Sequence, residues 1–406
     1  MPGKAKKVGA GARIESKQLA ALEEITNEIV FSKRQCLGNV VRDETVLKVH
    51  PQQNPPVRNQ PIIFSHDGDP YHYLDLNKTC FQFKIKLTQA DDADLPDGAA
   101  VAPINDVAHS MFRRITTFIN SIEVSVNDNL YAYKAFIARA LTHTKSMNAG
   151  IDSVWSIFEK DAPTGHYNST NNANNTGMES RRAKFAASRI VTVRMRPRDA
   201  IWNQDRDIPP NFPIKIVFDR VTDAFLTMEH VVAGGASANY RIHVTDAVML
   251  LCLKNVSPEI AEQNYRQLCS TEGLCYNLRP IDARVLTIPQ NSRNAYFTNV
   301  YTGMLPTTFG FCLVDATSFN GDATRNPFYF HHYNLDLVRV KINNTIWRND
   351  TLETNFAAGV NQDYKSAYSL FLDQLGFRSG EPALDVSEAE WGSTHNIWIF
   401  DTIPDA

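Results

Sequence analysis

Short segments in which apolar and polar residues alternate recur along most of the chain. In residues 80–89 the apolar positions are Phe81, Phe83, Ile85 and Leu87, and the polar positions between them are Gln82, Lys84, Lys86 and Thr88. A period of two residues is typical of an antiparallel strand with one buried face. The same kind of pattern predicts further strands at 121–128, 189–197, 213–221, 240–256, 283–290, 308–315 and 335–344. Short strands with turn signals between them, few helices and no βαβ rhythm predict an all-β sandwich or barrel.

Helical periodicity interrupts the strands at 131–143, 257–270 and 363–375. In the middle helix, Ser257 and Pro258 suit the N-cap and the first helical position. In both halves a strand is followed by an Asn-rich turn and then by a helix that begins with Tyr and Lys. This shared order suggests that one sandwich was duplicated. The sequence therefore predicts an N-terminal region at 1–55, a first sandwich at 56–256, and a linker helix with a second sandwich at 257–406.

The N-terminal region has its own composition. Residues 1–14 form a Gly/Ala-rich basic arm without acidic residues, which predicts disorder. The cations of this arm are Lys4, Lys6, Lys7 and Arg13. The arm could contact nucleic acid, an inner membrane or an acidic neighbour, or it could only make the chain more soluble. The sequence favours these two kinds of role equally. An amphipathic helix is predicted over 15–31, with its apolar stripe formed by Leu19, Leu22, Ile25 and Ile29.

Composition and charge exclude several classes of protein. With 406 residues, the chain is long enough for two domains. Its formal net charge of −3 rules out nucleic-acid binding through the overall field, so any genome contact would be local. Six cysteines without paired C-x-x-C spacing indicate reduced thiols. The sequence shows neither a secretory signal nor an apolar stretch long enough to span a membrane.

A search for chemistry identifies no catalytic, cofactor-binding or metal-binding residues. The acidic run with Asp91, Asp92, Asp94 and Asp97 does not fit the EF-hand spacing, which favours a solvated loop. The run from His66 to Asp69 is explained by a tight turn. His331 and His332 would point to opposite faces of a strand and would not share an ion. The Asn-rich tract at 158–183 predicts a long polar surface loop.

Several phrases of the sequence resemble a known family. Residues 103–141, 214–228 and 240–260 resemble the first jelly roll of major capsid proteins from Polinton/Maverick-type elements and adintoviruses. Residues 284–344 are similar to the second jelly roll of that family, including the T-I-P-Q, L-V-D and N-P-F-Y-F segments. The matched region covers roughly residues 60–375, and its order and spacing are specific. The Asn-rich tract and the C-terminal segment EWGSTHNIWIFDTIPDA depart from the family pattern.

The resemblance implies two tandem jelly-roll β-sandwiches, a double jelly roll, with short helical insertions and an N-terminal arm and helix. It also implies a non-enzymatic major capsid protein without a cofactor, forming pseudo-hexagonal homotrimers that assemble into the icosahedral capsid of a virion. The implied partners are the chain itself and the penton and minor capsid proteins. For such a protein, we hypothesise that helix 15–31 docks under a neighbouring capsomer or a minor shell protein. The alternatives are a vertex (penton) or minor capsid protein and, less favoured, a carbohydrate-binding or hydrolytic β-sandwich.

Overall fold

The structure, a computed structural model, describes residues 41–402 except 127, 172, 233–234, 271–272, 277, 304, 343, 348–351, 358–361 and 376–383. Within these ranges the chain is mostly β-structure. The strands are β1 (Val41–Val49), β2 (Ile62–His66), β3 (His72–Thr88), β4 (Val101–Pro103), β5 (Phe112–Ile119), β6 (Ile122–Glu123), β7 (Val191–Met195), β8 (Ile214–Arg220), β9 (Thr227–Glu229), β10 (Arg241–Val256), β11 (Thr308–Cys312), β12 (Leu337–Val338), β13 (Lys341–Ile342), β14 (Thr345–Ile346), β15 (Leu352–Glu353) and β16 (Ile397–Asp401).

Short helices lie between the strands. They are α1 (Val107–Ser110), α2 (Tyr131–Thr142), α3 (Lys145–Met147), α4 (Ser153–Trp155), α5 (Thr176–Phe185), α6 (Asp223–Leu226), α7 (Pro258–Leu268), α8 (Ala316–Asn320), α9 (Lys365–Gln374) and α10 (Glu388–Trp391). A π-helical turn at Asn148–Asp152 joins α3 to α4, and single 3-10 turns lie at Thr164–His166, Ala186–Ser188 and Ala200–Trp202. Of the four helices predicted from the sequence, the three at 131–143, 257–270 and 363–375 are confirmed as α2, α7 and α9, and the one at 15–31 lies outside the described residues. Pro258 occupies the first turn of α7.

The first half is a β-sandwich of two four-stranded antiparallel sheets. One sheet has the order β1-β10-β3-β7 and the other the order β2-β8-β5-β6. The alternation predicted for residues 80–89 is confirmed, because the four apolar side chains of this segment are completely buried. The intervening Gln82, Lys84 and Lys86 are partly exposed on the opposite face of the sheet.

Aromatic rings hold the two sheets together. The Phe81 ring on β3 lies 4.7 Å from the Phe218 ring on β8 and 5.4 Å from Trp202, both edge to face. Edge-to-face contacts add roughly 0.5–1.5 kcal/mol per pair beyond the burial of apolar area. The indole nitrogen of Trp202 donates a hydrogen bond to Thr117 Oγ1 at 3.0 Å, so the ring is buried without an unsatisfied donor.

The second half packs against the first through one continuous apolar cluster. Phe136 on α2 stacks on Phe328 with ring centroids 4.1 Å apart and an interplanar angle of 5°. Farther along the chain, β11 pairs with β16, and the Phe311 and Trp398 rings stack at 6.0 Å. Since the apolar contacts run across the middle of the chain, the halves form one packed body in the described residues.

Three predicted strands differ from the structure. Residues 283–290 form no strand, and the strand predicted at 121–128 is reduced to β6, in which Ile122 is 66% exposed. The strand predicted at 335–344 is divided into β12 and β13. Alternation in sequence fits a half-buried surface, but a strand also needs a paired neighbour, which only the fold supplies.

Two further elements were not anticipated. The strand β1 lies inside the region predicted to hold only the arm and helix, and it pairs with β10 along its length. The tract 158–183, predicted to be a surface loop, contains most of α5, on which Met178 and Phe185 are fully buried. An added Cβ at Gly177 would overlap the Lys160 carbonyl, so this helix packs closely against the preceding chain.

The contact between the sheets yields a test of the fold. Phe218→Ala removes a ring that touches Phe64, Phe81, Phe83 and Phe112. We expect a loss of about 3–5 kcal/mol in the free energy of unfolding, measured by urea denaturation followed by circular dichroism. Ile122→Ala, at a mostly exposed position, is the control and is expected to change stability by less than about 0.5 kcal/mol. Equal effects of the two variants would contradict the sandwich core described here.

Candidate assembly surfaces

Buried charged and polar side chains lie where the two halves of the chain meet. We call this set the polar seam, and its members are Asp106, Arg139, Asn148, Asp161, Arg181, Asn326, Asp385 and His395. Each is at most 8% exposed. Burying polar groups is costly unless they find partners, so the contacts of the seam show how the halves are joined. Among its members, Asp106 Oδ1 and Arg139 Nε have no hydrogen-bond partner within the described residues.

Arg181 on α5 is the most completely enclosed cation of the seam. Its Nε donates to the Pro103 carbonyl at 2.9 Å, and its Nη1 donates to the Glu159 carbonyl at 2.8 Å. Its Nη2 donates to Asp161 Oδ1 at 2.9 Å. Asp161 Oδ2 in turn accepts from the Asn326 side chain in the second half at 3.1 Å. A planar fork of donors is therefore matched to fixed acceptors, as buried arginines require.

A second chain of contacts starts at Arg139 on α2. Its guanidinium lies 3.5 Å from the centroid of the Phe158 ring, and its Nη1 donates to Asn148 Oδ1 at 3.2 Å. Asn148, in the π-helical turn, donates to Asp385 Oδ2 at 2.7 Å. Lys160 also reaches across, with its Nζ 3.0 Å from Asp385 Oδ1 and 2.8 Å from Glu390 Oε1. Residues from both halves thus share one network.

Burial shifts the titration of the groups in and beside the seam. Burial alone raises the pKa of Asp106, but the positive charges of the Arg198 and Arg139 guanidinium groups outweigh it and hold this pKa below its ordinary value. The pKa of His109 falls to about 3, because burial and the charge of Arg198 oppose protonation. Burial also lowers the pKa of His395 to about 3, with Arg139 adding to the effect. Both imidazoles are consequently neutral near pH 7.

The outer surface of the first sandwich presents an edge strand. β1 is hydrogen-bonded to β10 on one side, and no other described strand pairs with its second side. Eight of its nine residues are exposed. Charged residues such as Arg42, Asp43 and Lys48 interrupt its apolar positions, and charge on an edge discourages indiscriminate strand pairing.

The residues singled out from the sequence fall into two groups. The cations of the basic arm and the apolar stripe of helix 15–31 lie outside the described residues, so both remain predictions. The acidic loop is described. Its Asp92 lies 3.2 Å from Arg241 and 3.1 Å from His243, and its Asp94 lies 2.6 Å from Lys86. These carboxylates therefore contact the neighbouring strands of the sheet.

The run from His66 to Asp69 connects β2 to β3, but the tight turn predicted for it is not formed there, because the chain bends after it, at residues 70 and 71. Asp69 Oδ1 accepts hydrogen bonds from the backbone N–H groups of Tyr71 at 2.8 Å and His72 at 2.9 Å. Gly68 has a φ of +88°, and a Cβ there would lie 3.1 Å from the backbone of Phe212. Both its conformation and its surroundings thus require glycine.

His331 and His332 do not lie on a strand, so the argument that they face opposite ways is wrong. Their rings stack with centroids 4.1 Å apart. The Nδ1 atom of His331 accepts from the Tyr333 N–H, and that of His332 accepts from the Asn334 N–H, both at 2.9 Å. Burial and the neighbouring His331 lower the pKa of His332 to about 4. In the described part of the chain, no three His, Cys, Asp or Glu side chains cluster as a metal site would require.

Sequence reasoning missed the polar seam entirely. Its members are spread from residue 106 to residue 395, and no local motif connects them. One signal was present, because the departure of the tract 158–183 from the surrounding strand pattern marked the segment that supplies Asp161 and Arg181. Its polarity was interpreted as exposure, whereas Asp161, Tyr167 and Asn168 of this tract form hydrogen bonds with Asn326 in the second half.

Comparisons with known proteins bear on the fold. No protein-family model matches this chain. The uncharacterized protein F54H12.2 of Caenorhabditis elegans is 21% identical over 276 residues, which cover 66% of this chain and 62% of that protein. This chain thus spans less than two thirds of the length of that curated relative.

Two solved structures are similar. A chain in the 3.5 Å cryo-EM structure of the Sputnik virophage aligns with a TM-score of 0.53 and 11% identity, over 89% of this chain and 77% of that chain. The Faustovirus major capsid protein aligns over 56% of each chain at 11% identity with a TM-score of 0.33, which is too low to support an argument. The likeness to the Sputnik chain extends through both halves and confirms the predicted all-β jelly-roll fold class. Within the described ranges, no helix has the length and apolarity of a membrane span.

The buried ion pair of the seam can be tested directly. Arg181→Met leaves Asp161 buried without its cation, so we expect unfolding to become easier by about 3–5 kcal/mol in urea denaturation. The adjacent Arg182 forms a partly exposed pair with Glu179, and Arg182→Met is expected to cost at most about 1 kcal/mol. A smaller effect at position 181 than at position 182 would contradict the role assigned to the seam.

The buried histidines predict a dependence of stability on pH. Because His395 titrates at about 3 when folded and near 6.5 as a free group, only the unfolded chain takes up its proton as the pH falls. The stability contributed by the neutral ring is complete above pH 6.5 and is lost progressively towards pH 3, by about 2 kcal/mol between pH 7 and pH 5. Urea denaturation of His395→Gln at both pH values should show a smaller loss than wild type. His166→Gln, at an exposed position, is the control and should reproduce the wild-type loss.

Proposed function

We propose that this chain is a viral major capsid protein of the Polinton/Maverick and adintovirus type, whose work is to build a shell. The carrying observation is the shared fold with a chain of the Sputnik virophage over 89% of this sequence. The sequence resemblance of residues 60–375 supports the same proposal independently. The virion capsid is then its location, and no catalytic step is part of the function.

The proposed unit of assembly is a homotrimer with a pseudo-hexagonal outline. Two similar sandwiches in each chain and three chains in each trimer give six comparable lateral faces, which suits hexagonal tiling of an icosahedral shell. The polar seam supports this proposal, since it fixes one half of the chain against the other. Neighbouring trimers and the penton and minor capsid proteins are the proposed partners.

The proposed division of the chain follows the linker helix. The first jelly roll ends at β10 and the second begins with the linker helix at residue 257, as the sequence predicts. Because β1 belongs to the first sheet, we place the start of the first jelly roll near residue 41 instead of residue 56. The remaining N-terminal residues, with the basic arm and helix 15–31, are proposed to contact the inner side of a neighbouring subunit, with the genome touched at most locally.

The solution mass and outline of the purified chain test this function. We expect sedimentation velocity to give three times the 45.7 kDa chain mass and negative-stain images to show pseudo-hexagonal particles. A pentamer would favour the vertex protein instead. A chain that stays monomeric at every concentration, or binds a glycan array with clear selectivity, would overturn the proposal.

A further inference from the structure

An apolar segment projects from the described part of the molecule. We call residues 284–299 the projecting segment, and every one of them is exposed. Its large apolar side chains are Val285 (55% exposed), Leu286 (46%), Ile288 (41%), Tyr296 (75%) and Phe297 (40%). Side chains of this kind scattered singly are ordinary on a surface, but five of them exposed within one short segment call for a partner.

The base of the projecting segment is fixed to the molecule. Just before it, the Ala283 N–H donates to Asp128 Oδ2 at 3.2 Å, and Lys134 on α2 donates to the Ile281 carbonyl at 3.3 Å. Asp128 and Lys134 themselves form an ion pair at 2.8 Å with side chains only 9% exposed. The segment therefore leaves the body from a well-anchored point.

The two ends of the segment are held close together. Arg284 at its start donates to the Val300 carbonyl, and its guanidinium lies 4.8 Å from the centroid of the Tyr301 ring. Halfway along, the Ser292 N–H donates to the Pro289 carbonyl at 3.2 Å, and Asn291 takes the left-handed conformation that a turn favours. A compact loop with closed ends is an arrangement often used for recognition.

The composition of the segment is that of an interface core. It contains aromatic and branched apolar residues and two arginines, Arg284 and Arg293, and it has no Lys, Asp or Glu. Depletion of Lys, Asp and Glu with enrichment of aromatic residues and Arg distinguishes the centre of protein interfaces from other surface. Its pattern of apolar residues also predicted a strand at 283–290, for which the described chain supplies no partner.

We infer that the projecting segment packs against a second copy of this chain. Covering its five large apolar side chains would bury on the order of 500 Å² of surface, most of the roughly 800 Å² that each partner contributes to a standard interface. The charges are also complementary. The segment is cationic, whereas the whole chain has a net charge of −3, so the remainder of each copy is acidic on balance.

This inference rests on the proposed function and adds to it the part of the chain that makes the contact. The proposed trimer requires that copies associate, and the projecting segment supplies an apolar surface for that association. Tyr296 and Phe297, adjacent and aromatic, are the expected centre of the contact, because aromatic anchors dominate the energies of interfaces.

A matched pair of exposed tyrosines provides the experiment. Tyr296 is 75% exposed in the projecting segment, and Tyr71 is 76% exposed elsewhere on the surface. In the full chain, Tyr296→Asp is expected to shift the concentration at which the oligomer dissociates upward by about tenfold or more, followed by mass photometry over a dilution series. Tyr71→Asp should stay within about twofold of wild type. Thermal melts of the dissociated chains should agree, since neither ring is part of the core.

A cross-linking arm gives a second readout. A photoreactive benzophenone amino acid at position 296 is expected to give a covalent product of twice the chain mass, and at position 71 it should not. Wild-type oligomers that Tyr296→Asp leaves unchanged, with cross-links only inside one chain, would overturn the inference and leave the proposed function standing. A wild-type chain that never associates would overturn both.

Discussion

The buried guanidinium of Arg181 is the constraint on which the joining of the two halves depends. Burying a charge away from water is costly unless its donors find acceptors, and the Arg181 side chain donates to two backbone carbonyls and to the Asp161 carboxylate. Asp161 then needs Asn326 for its second oxygen, which brings in the second half. Satisfying one charge therefore fixes the position of α5, the chain before it and a loop 165 residues after Asp161 in sequence.

Apolar packing gives the molecule its stability, and the polar seam fixes the position of one half relative to the other. The aromatic cluster around Phe81 and Phe218 would tolerate small displacements, because dispersion contacts have little directionality. The hydrogen bonds of the seam do not tolerate such displacements, since the distance between donor and acceptor can vary by only a few tenths of an ångström. A fixed arrangement of the two halves suits the assembly proposed for this chain, in which copies would tile a surface.

Two exposed segments of the surface, β1 and the projecting segment, differ in their content of charged residues. The edge strand β1 carries charges between its apolar residues, which limits unspecific pairing. The projecting segment has strand-like composition and lacks carboxylates, and its ends are closed by Arg284. The assembly proposed for this chain would use both features, because its copies would have to associate at chosen places and resist association elsewhere.

The sequence by itself determined the all-β class, the inward face of β3 and the positions of α2, α7 and α9, because these follow from periodicity and local capping, which neighbouring residues control. Only the tertiary structure decided that Asp161 and Arg181 are buried, that residues 283–290 form no strand, and that the rings of His331 and His332 stack. Burial of a polar residue depends on partners far away in sequence, and a strand exists only where another strand pairs with it. The neighbouring residues in the sequence determine neither condition, so the polar seam could not be predicted from the sequence.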